Sequence, residues 1–429
     1  MRHLGWAGIF RLGLVQMAIG AIVVLTTSTL NRIMVVELAL PAMLPGALVG
    51  IYYAIQLTRP NWGYRSDAGG ARSPWILGGM AVLAAGGLVA TLGTVAMEES
   101  AALGIALATL GFVLIGGGVG AAGTSLLALL ATATAPERRA AAATITWLMM
   151  IAGIALTAAG VGAVLDPYSH ARLVAIVAVV CAGAVVLTAL AMWGVERRLC
   201  GLPEPQAERV PFRVAFAEIW GEPRARHFSI FVFLSMTAYF MQELIIEPFA
   251  GHVFHFTPGQ STSMAGLQNG GVFLGMLTVG IAASLLRIGS LRMWTIAGCL
   301  GSAAALSGIA SAGLAGPGAP LLPLVFALGF ANGVFAVAAI GSMMALSGQG
   351  RAGREGTRMG LWGAAQAIAA GFGGFLGAAM VDVMRRLVAD PAEAYGTVFM
   401  VEAAIFVAAA LLAVRVVAGR PQPHLAPGE

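Results

Sequence analysis

Glu243 and Glu247 lie four residues apart in an apolar run, with Gln242 beside them, and that spacing puts both carboxyls on one face of a helix. Two carboxyls sharing an apolar face compete for charge, so one of them is a candidate proton carrier. Glu247 precedes Pro248 and is expected to reach interfacial water, which leaves Glu243 as the sharper proton-coupling candidate. Glu402 is a third carboxyl inside an apolar run, with no partner nearby in sequence, and is a candidate of the same kind. Arg32 and Glu37 bracket another such run. Five residues apart, they project about 140° from each other on an ideal α-helix, so partners on other helices are expected for both. An ionisable group within a membrane span costs about 2.5–3.5 kcal/mol on insertion scales, so each of these residues calls for a structural or functional partner.

The elements that must position them follow from composition. Of 429 residues, 59% are hydrophobic and 10% charged, with mean hydropathy +0.88. A soluble domain carries roughly 25% charged residues, so a water-soluble single core is excluded. All 24 basic residues are arginine, and the 58 glycines are interleaved with Leu, Val and Ile in a way that suits close helix packing in lipid. Cys181, Cys200 and Cys299 are too dispersed for a disulfide framework or a metal motif. The N-terminal 20 residues read as part of an uncleaved first span rather than a signal peptide.

A spanning helix needs about 20 apolar residues, and twelve candidates recur: 10–30, 40–58, 74–96, 102–132, 140–163, 172–194, 227–250, 260–286, 290–312, 320–348, 356–380 and 394–418. With both termini cytoplasmic, the arginines divide 20 to 4 in favour of the cytoplasmic side, as the positive-inside rule requires. The fold class is therefore an all-α polytopic membrane protein. Residues 1–194 are expected to form an N-terminal six-helix bundle and 227–429 a C-terminal one. Between them, 195–226 reads as a cytoplasmic linker whose stripe Phe212, Ala215, Phe216, Ile219 and Trp220 predicts an interfacial helix, as a tether or a docking surface.

The halves read as repeats. Pro41 and Pro258 are 217 apart, Trp75 and Trp294 are 219 apart, and Trp147 and Trp362 are 215 apart. Two six-helix halves related by an axis along the membrane normal are the layout of the major facilitator superfamily. That superfamily's loop between the second and third spans, G-x-x-x-D-x-x-G-x-[RK], is matched by Gly63, Asp67, Gly70 and Arg72. Its glycines permit a tight turn, and its carboxylate among arginines would tie helix ends at the cytoplasmic gate.

Several segments resemble a particular family within that superfamily. Leu30-Asn31-Arg32-Ile33-Met34-Val35-Val36-Glu37-Leu38 followed by Pro41 is similar to the first span of the PucC/LhaA family. Gly63-Tyr64-Arg65-Ser66-Asp67 and Arg72-Ser73-Pro74 are similar to its G-x-R-S-D and R-[TS]-P loop. The run from Arg354, Glu355 and Arg358 through Trp362 to Gln366 and Ile368, continued by Gly371 to Gly377, resembles its eleventh-span signature. The resemblance covers nearly the whole chain. The chain is compact for the family, which fits a smaller subgroup linked with late bacteriochlorophyll synthesis as well as the larger antenna-specific members.

The resemblance implies a bacteriochlorophyll-delivery and light-harvesting assembly factor at the bacterial inner (intracytoplasmic) membrane. Bacteriochlorophyll or a late precursor would be its cargo. Partners would be membrane lipid, light-harvesting polypeptides, the reaction-centre complex or bacteriochlorophyll synthase. It makes Asn31, Arg32, Glu37, Glu243, Trp362 and Gln366 candidate pigment or substrate contacts, with Gly63, Arg65, Asp67, Gly70, Arg72, Arg354, Glu355 and Arg358 as gating residues. Bacteriochlorophyll needs an axial ligand for its magnesium. His252 and His255 share a face if their segment is helical, yet they lie near the expected periplasmic surface, where solvated histidines are usual; an amide such as Gln366 could serve instead. Gly118-Val119-Gly120-Ala121-Ala122-Gly123 matches G-x-G-x-x-G but follows no strand, so helix packing explains it better than a dinucleotide. No catalytic residue, metal site or basic tract for nucleic acid stands out. A proton-coupled transporter of a small amphipathic substrate and a ligand-free scaffold remain as alternative readings.

Overall fold

The computed structural model describes residues 4–59, 62, 72–135, 138–195, 221, 223–284, 286, 288–347 and 355–416. Among these, eleven helices are long and apolar enough to cross a membrane, and one apolar helix is shorter. In chain order they are α1 Trp6–Glu37, α2 Met43–Gln56, α3 Ser73–Ala96, α4 Ala101–Ala133, α5 Arg139–Leu165, α6 His170–Met192, α7 Arg226–Phe254, α8 Pro258–Ser284, α9 Leu291–Ala315, α10 Leu321–Ser347, α11 Glu355–Leu387 and α12 Pro391–Val416. Helices are the expected answer, because hydrocarbon offers no partner for a free N–H or C=O. The stripe Phe212 to Trp220 lies outside the described residues, as do Gly63, Arg65, Asp67, Gly70 and Arg354.

Packing repeats itself with a period of six helices. In the first half α3 packs on α4, α1 on α5, α2 on α4, α3 on α6 and α1 on α6; the same pairs recur as α9 with α10, α7 with α11, α8 with α10, α9 with α12 and α7 with α12. The two halves meet through α2 with α11 and α5 with α8, a pair of contacts that the same operation exchanges. Two large buried clusters result. One is built from residues between Ile9 and Val195 with Leu244, the other from residues between Phe228 and Ala413. Smaller clusters at Val24, Ala158 and Ala265, and at Ile151, Val272 and Met276, join the halves.

Glycine spacing explains how closely these helices approach. A Cβ on Gly373 or Gly377 of α11 would stand 2.5 and 2.6 Å from the carbonyl oxygens of Thr237 and Met241 on α7. Gly118, within the G-x-G-x-x-G match, has the backbones of Gly79 and Leu83 on α3 against its α-carbon. Small residues at these spacings are packing surfaces, as the membrane context requires.

Three elements depart from the regular pattern. The first helix was expected to stop near residue 30 and instead runs to Glu37, winding as a π-helix at Leu25–Leu30 and Ile33–Glu37. The hydroxyls of Thr26 and Thr27 both bond the Val23 carbonyl, at 2.7 and 3.4 Å, and so compete with the regular ladder there. The second helix is shorter than the span expected at 40–58: its 14 residues reach about 21 Å at 1.5 Å per residue. The seventh helix breaks, with an α-helical stretch ending at Met241, a 3-10 turn Gln242–Leu244 and a second stretch Ile246–Phe254.

Candidate functional site

The break in α7 has a local cause. Pro248 has no N–H to offer the carbonyl of Leu244, four residues earlier, so that carbonyl is left without its helical partner. Asn31 supplies one from α1: its Nδ2 donates to the Leu244 oxygen at 2.8 Å. A discontinuous helix whose freed carbonyl faces a neighbouring span is a recurrent way to build an intramembrane polar site.

The opposing wall is the π-helical part of α1, where Thr26, Thr27, Ser28, Thr29, Asn31 and Arg32 are all buried. Glu243 and Glu247 both face it: the Glu243 carboxyl lies beside the Thr27 hydroxyl and the Glu247 carboxyl beside Ser28. Thr29 reaches Thr262 on α8, the two hydroxyl oxygens being 3.4 Å apart. Glu247 is only 2% exposed, so the expectation that it reaches interfacial water is overturned; the kink at Pro248 turns it into the bundle. Glu243 is half-buried and has Tyr52, Tyr53 and Tyr239 within electrostatic range. Tyr53 packs edge-on against Phe240 with ring centroids 5.6 Å apart, and Phe240 on Tyr239 at 5.1 Å, so aromatic faces of α2 and α7 meet beside this carboxyl.

Arg32 and Glu37 correct the helical-wheel expectation. They pair with each other, Nη1 to Oε1 at 2.6 Å, while Arg32 Nη2 donates to the Phe256 carbonyl at 2.6 Å. The 140° separation assumed α-helical winding. In the π-helix the backbone bond runs from residue i to i+5, as in Leu38 N–H to Ile33 C=O at 3.0 Å, and residues five apart come onto one face. Gly251 makes room for the guanidinium, since a Cβ there would sit 3.1 Å from Arg32 Nη2.

The remaining candidates are scattered. His252 and His255 do not share a helical face: α7 ends at Phe254 and His255 is its exposed left-handed cap at φ 56°. His252 instead turns inward, its Nδ1 3.0 Å from the Tyr395 hydroxyl on α12. Glu402, on α12, is fully buried with neither oxygen hydrogen-bonded. Gln366 is half-buried on α11, and Glu355, Arg358 and Trp362 lie in the first turns of that helix. Arg72 donates to the Ala128 carbonyl at 2.9 Å and the Thr132 hydroxyl at 2.7 Å, tying the start of α3 to the end of α4 within one half.

Two aspartates that sequence reasoning missed join the halves. Asp382 of α11 accepts from the backbone N–H groups of Ala42 (2.9 Å) and Met43 (2.7 Å) at the start of α2. Asp166, just after α5, accepts from the Gly259 N–H at 3.1 Å and from the Thr257 hydroxyl at the start of α8. The repeat offset could have found them, because Asp166 and Asp382 are 216 apart.

Twelve helices in two pseudo-symmetric halves, with a broken helix and a buried polar face between them, define the major facilitator superfamily fold. Solved structures of that fold superpose on it: a bacterial homologue of the human drug peptide transporters PepT1 and PepT2 has a TM-score of 0.70 and 14% identity, covering 96% of this chain and 98% of that one. The nucleoside transporter NupG gives a TM-score of 0.68 at 14% identity, again over 96% of this chain and 98% of that one. Within that class the chain belongs to the PUCC protein family, whose profile matches residues 29–420. It is 61% identical over 419 residues to the "Bacteriochlorophyll synthase 44.5 kDa chain" of Rhodobacter capsulatus, covering 97% of each. It is 31% identical to "Protein PucC" of the same organism, covering 95% of this chain and 91% of that one.

Proposed function

We propose that this protein handles bacteriochlorophyll or a late precursor in a photosynthetic membrane and delivers it to light-harvesting polypeptides. It would work beside the synthase and would not itself be an enzyme. The observation that carries the reading is the 61% identity, over 97% of both chains, to a relative whose name places it with bacteriochlorophyll synthase. The geometry is compatible with it. The aromatic faces of Tyr53, Tyr239 and Phe240 beside the half-buried Glu243 offer a flat ring a surface and a polar anchor, and Asn31 and Arg32 stand on the adjacent wall. His252, whose Nδ1 lies 3.0 Å from the Tyr395 hydroxyl, and Gln366 are the magnesium-ligand candidates.

The test is the absorption spectrum of the protein purified in mild detergent from pigment-producing cells. Near-infrared bands that co-elute stoichiometrically, and weaken in Glu243→Gln, His252→Ala or Gln366→Ala, are expected. A colourless protein that still brings down antenna or synthase subunits would make it a scaffold instead.

A second reading, a proton-coupled transporter of a small amphipathic substrate, is favoured by Glu402, a fully buried carboxyl with neither oxygen hydrogen-bonded. It requires that Glu243→Gln or Glu402→Gln abolish pH-driven uptake into vesicles; unchanged uptake would remove it.

A further inference from the structure

Charge and unpartnered oxygens converge at the break in α7. Arg32 is the cation whose field reaches Glu247, and it is already engaged by Glu37 at 2.6 Å. Glu37 is exposed and takes up that charge, so the buried Glu247 carboxyl has no ion pair of its own among the described residues. Among the described residues, four buried side-chain oxygens on these facing segments have no hydrogen-bond partner: Ser28 Oγ, Asn31 Oδ1, Gln242 Oε1 and Glu247 Oε2. Ser28 and Asn31 are three apart on α1, and both look onto the segment of α7 that contains Glu247: Ser28 lies beside its carboxyl, and the Asn31 amide nitrogen is held by Leu244. Arg32 Nε is an unpartnered donor on the same helix; turned towards them, it would serve one acceptor and leave the charge count unchanged.

We propose that Ser28, Asn31 and Glu247 form a binding site for one sodium-sized monovalent cation. The Ser28 hydroxyl can donate to only one of these oxygens at a time, whereas a hard cation takes several oxygens at once and also supplies a positive charge beside Glu247. A divalent ion is disfavoured because the donor set holds a single carboxylate in excess. Unwound backbone at a broken helix is where coupling ions are held in other transporter folds. The charged group beside Glu247 is Arg32, which is itself paired with Glu37. The site does not depend on what the cargo is.

The test uses the full chain in detergent without pigment, so its failure leaves the pigment reading untouched. Thermal unfolding is followed as sodium chloride replaces choline chloride at constant ionic strength, alongside equilibrium binding of radioactive sodium. Saturable binding of one ion per chain with an upward Tm shift is expected. Glu247→Gln should abolish both, and Ser28→Ala should weaken binding roughly tenfold. Ser311→Ala, whose hydroxyl bonds only its own helix backbone, should change nothing. A wild-type Tm indifferent to sodium, or a sodium response retained in Glu247→Gln, overturns the proposal; so does a Tm that follows pH alone, which would assign a proton to Glu243 or Glu247. Should Glu247→Gln fail to fold, the wild-type titration and Ser28→Ala decide.

Discussion

Asp166 and Asp382 make equivalent bonds in opposite directions: Asp166, from the first half, caps the start of α8 in the second, and Asp382, from the second half, caps the start of α2 in the first. Both sit at the bundle end where α1 finishes, and each satisfies N–H groups that a helix start leaves orphaned. The Thr29–Thr262, Asn31–Leu244 and Arg32–Phe256 bonds cross between the halves in the same region. This end is latched shut by polar bonds that a rocking motion of the halves would have to break.

Removing the latches should therefore favour opening at that end. A lost cap costs about 1 kcal/mol, so Asp166→Ala and Asp382→Ala should each speed labelling of a Thr262→Cys reporter roughly fivefold, and more together. The reporter is read with a maleimide in a Cys200→Ser background; Cys181 and Cys299 are buried. Labelling rates equal to those of the parent would argue that the caps stabilise helices without gating anything.

Gly373→Ala and Gly377→Ala should each destabilise by about 1–3 kcal/mol, the usual range for overpacking. The obstacle in both cases is α7 backbone, which cannot rotate aside as a side chain can. Gly183→Ala, with nothing within 4 Å of the added carbon, should be neutral or mildly stabilising. Unfolding in a graded detergent series would compare the three, and equal midpoints would refute the close-packing account.

The Arg32–Glu37 pair should show coupling of about 1 kcal/mol or more in a double-mutant cycle with alanine. Arg32→Lys should not rescue it, because one ammonium cannot keep the carboxylate and the Phe256 carbonyl together with the same planar geometry. Additive single and double variants would mean that the two residues act through separate partners.

Tyr168, in the loop between α5 and α6, has its phenol pushed up to about 12, chiefly by burial, with the carboxylates of Glu37 and Glu98 adding to it. A folded value above the ordinary one of about 10 means that the folded state holds this proton more tightly. The associated stability is fully present below about pH 10 and is lost as pH rises through about 12. The difference in ultraviolet phenolate absorbance between the parent and Tyr168→Phe should therefore develop late; a transition at about pH 10 would contradict the burial of that ring.

The spans, the two repeated halves and the family were legible in the residues themselves. Hydrocarbon forces each apolar run to satisfy its own backbone, so length and polarity along the chain already dictate a helix. Partnership was not legible. α-helical winding would separate Arg32 from Glu37, and only the π-helical turns of α1 bring them together. The proline after Glu247 suggests a carboxyl at the interface, yet that proline breaks α7, the carboxyl is buried, and the carbonyl it frees is taken by Asn31. Spacing alone puts His252 and His255 on one face, whereas the left-handed cap at His255 separates them. Asp166 and Asp382 carry their meaning only against helix starts in the opposite half. Spacing reports neighbours along one regular helix; where winding changes or contacts cross between halves, the folded bundle alone decides which groups meet.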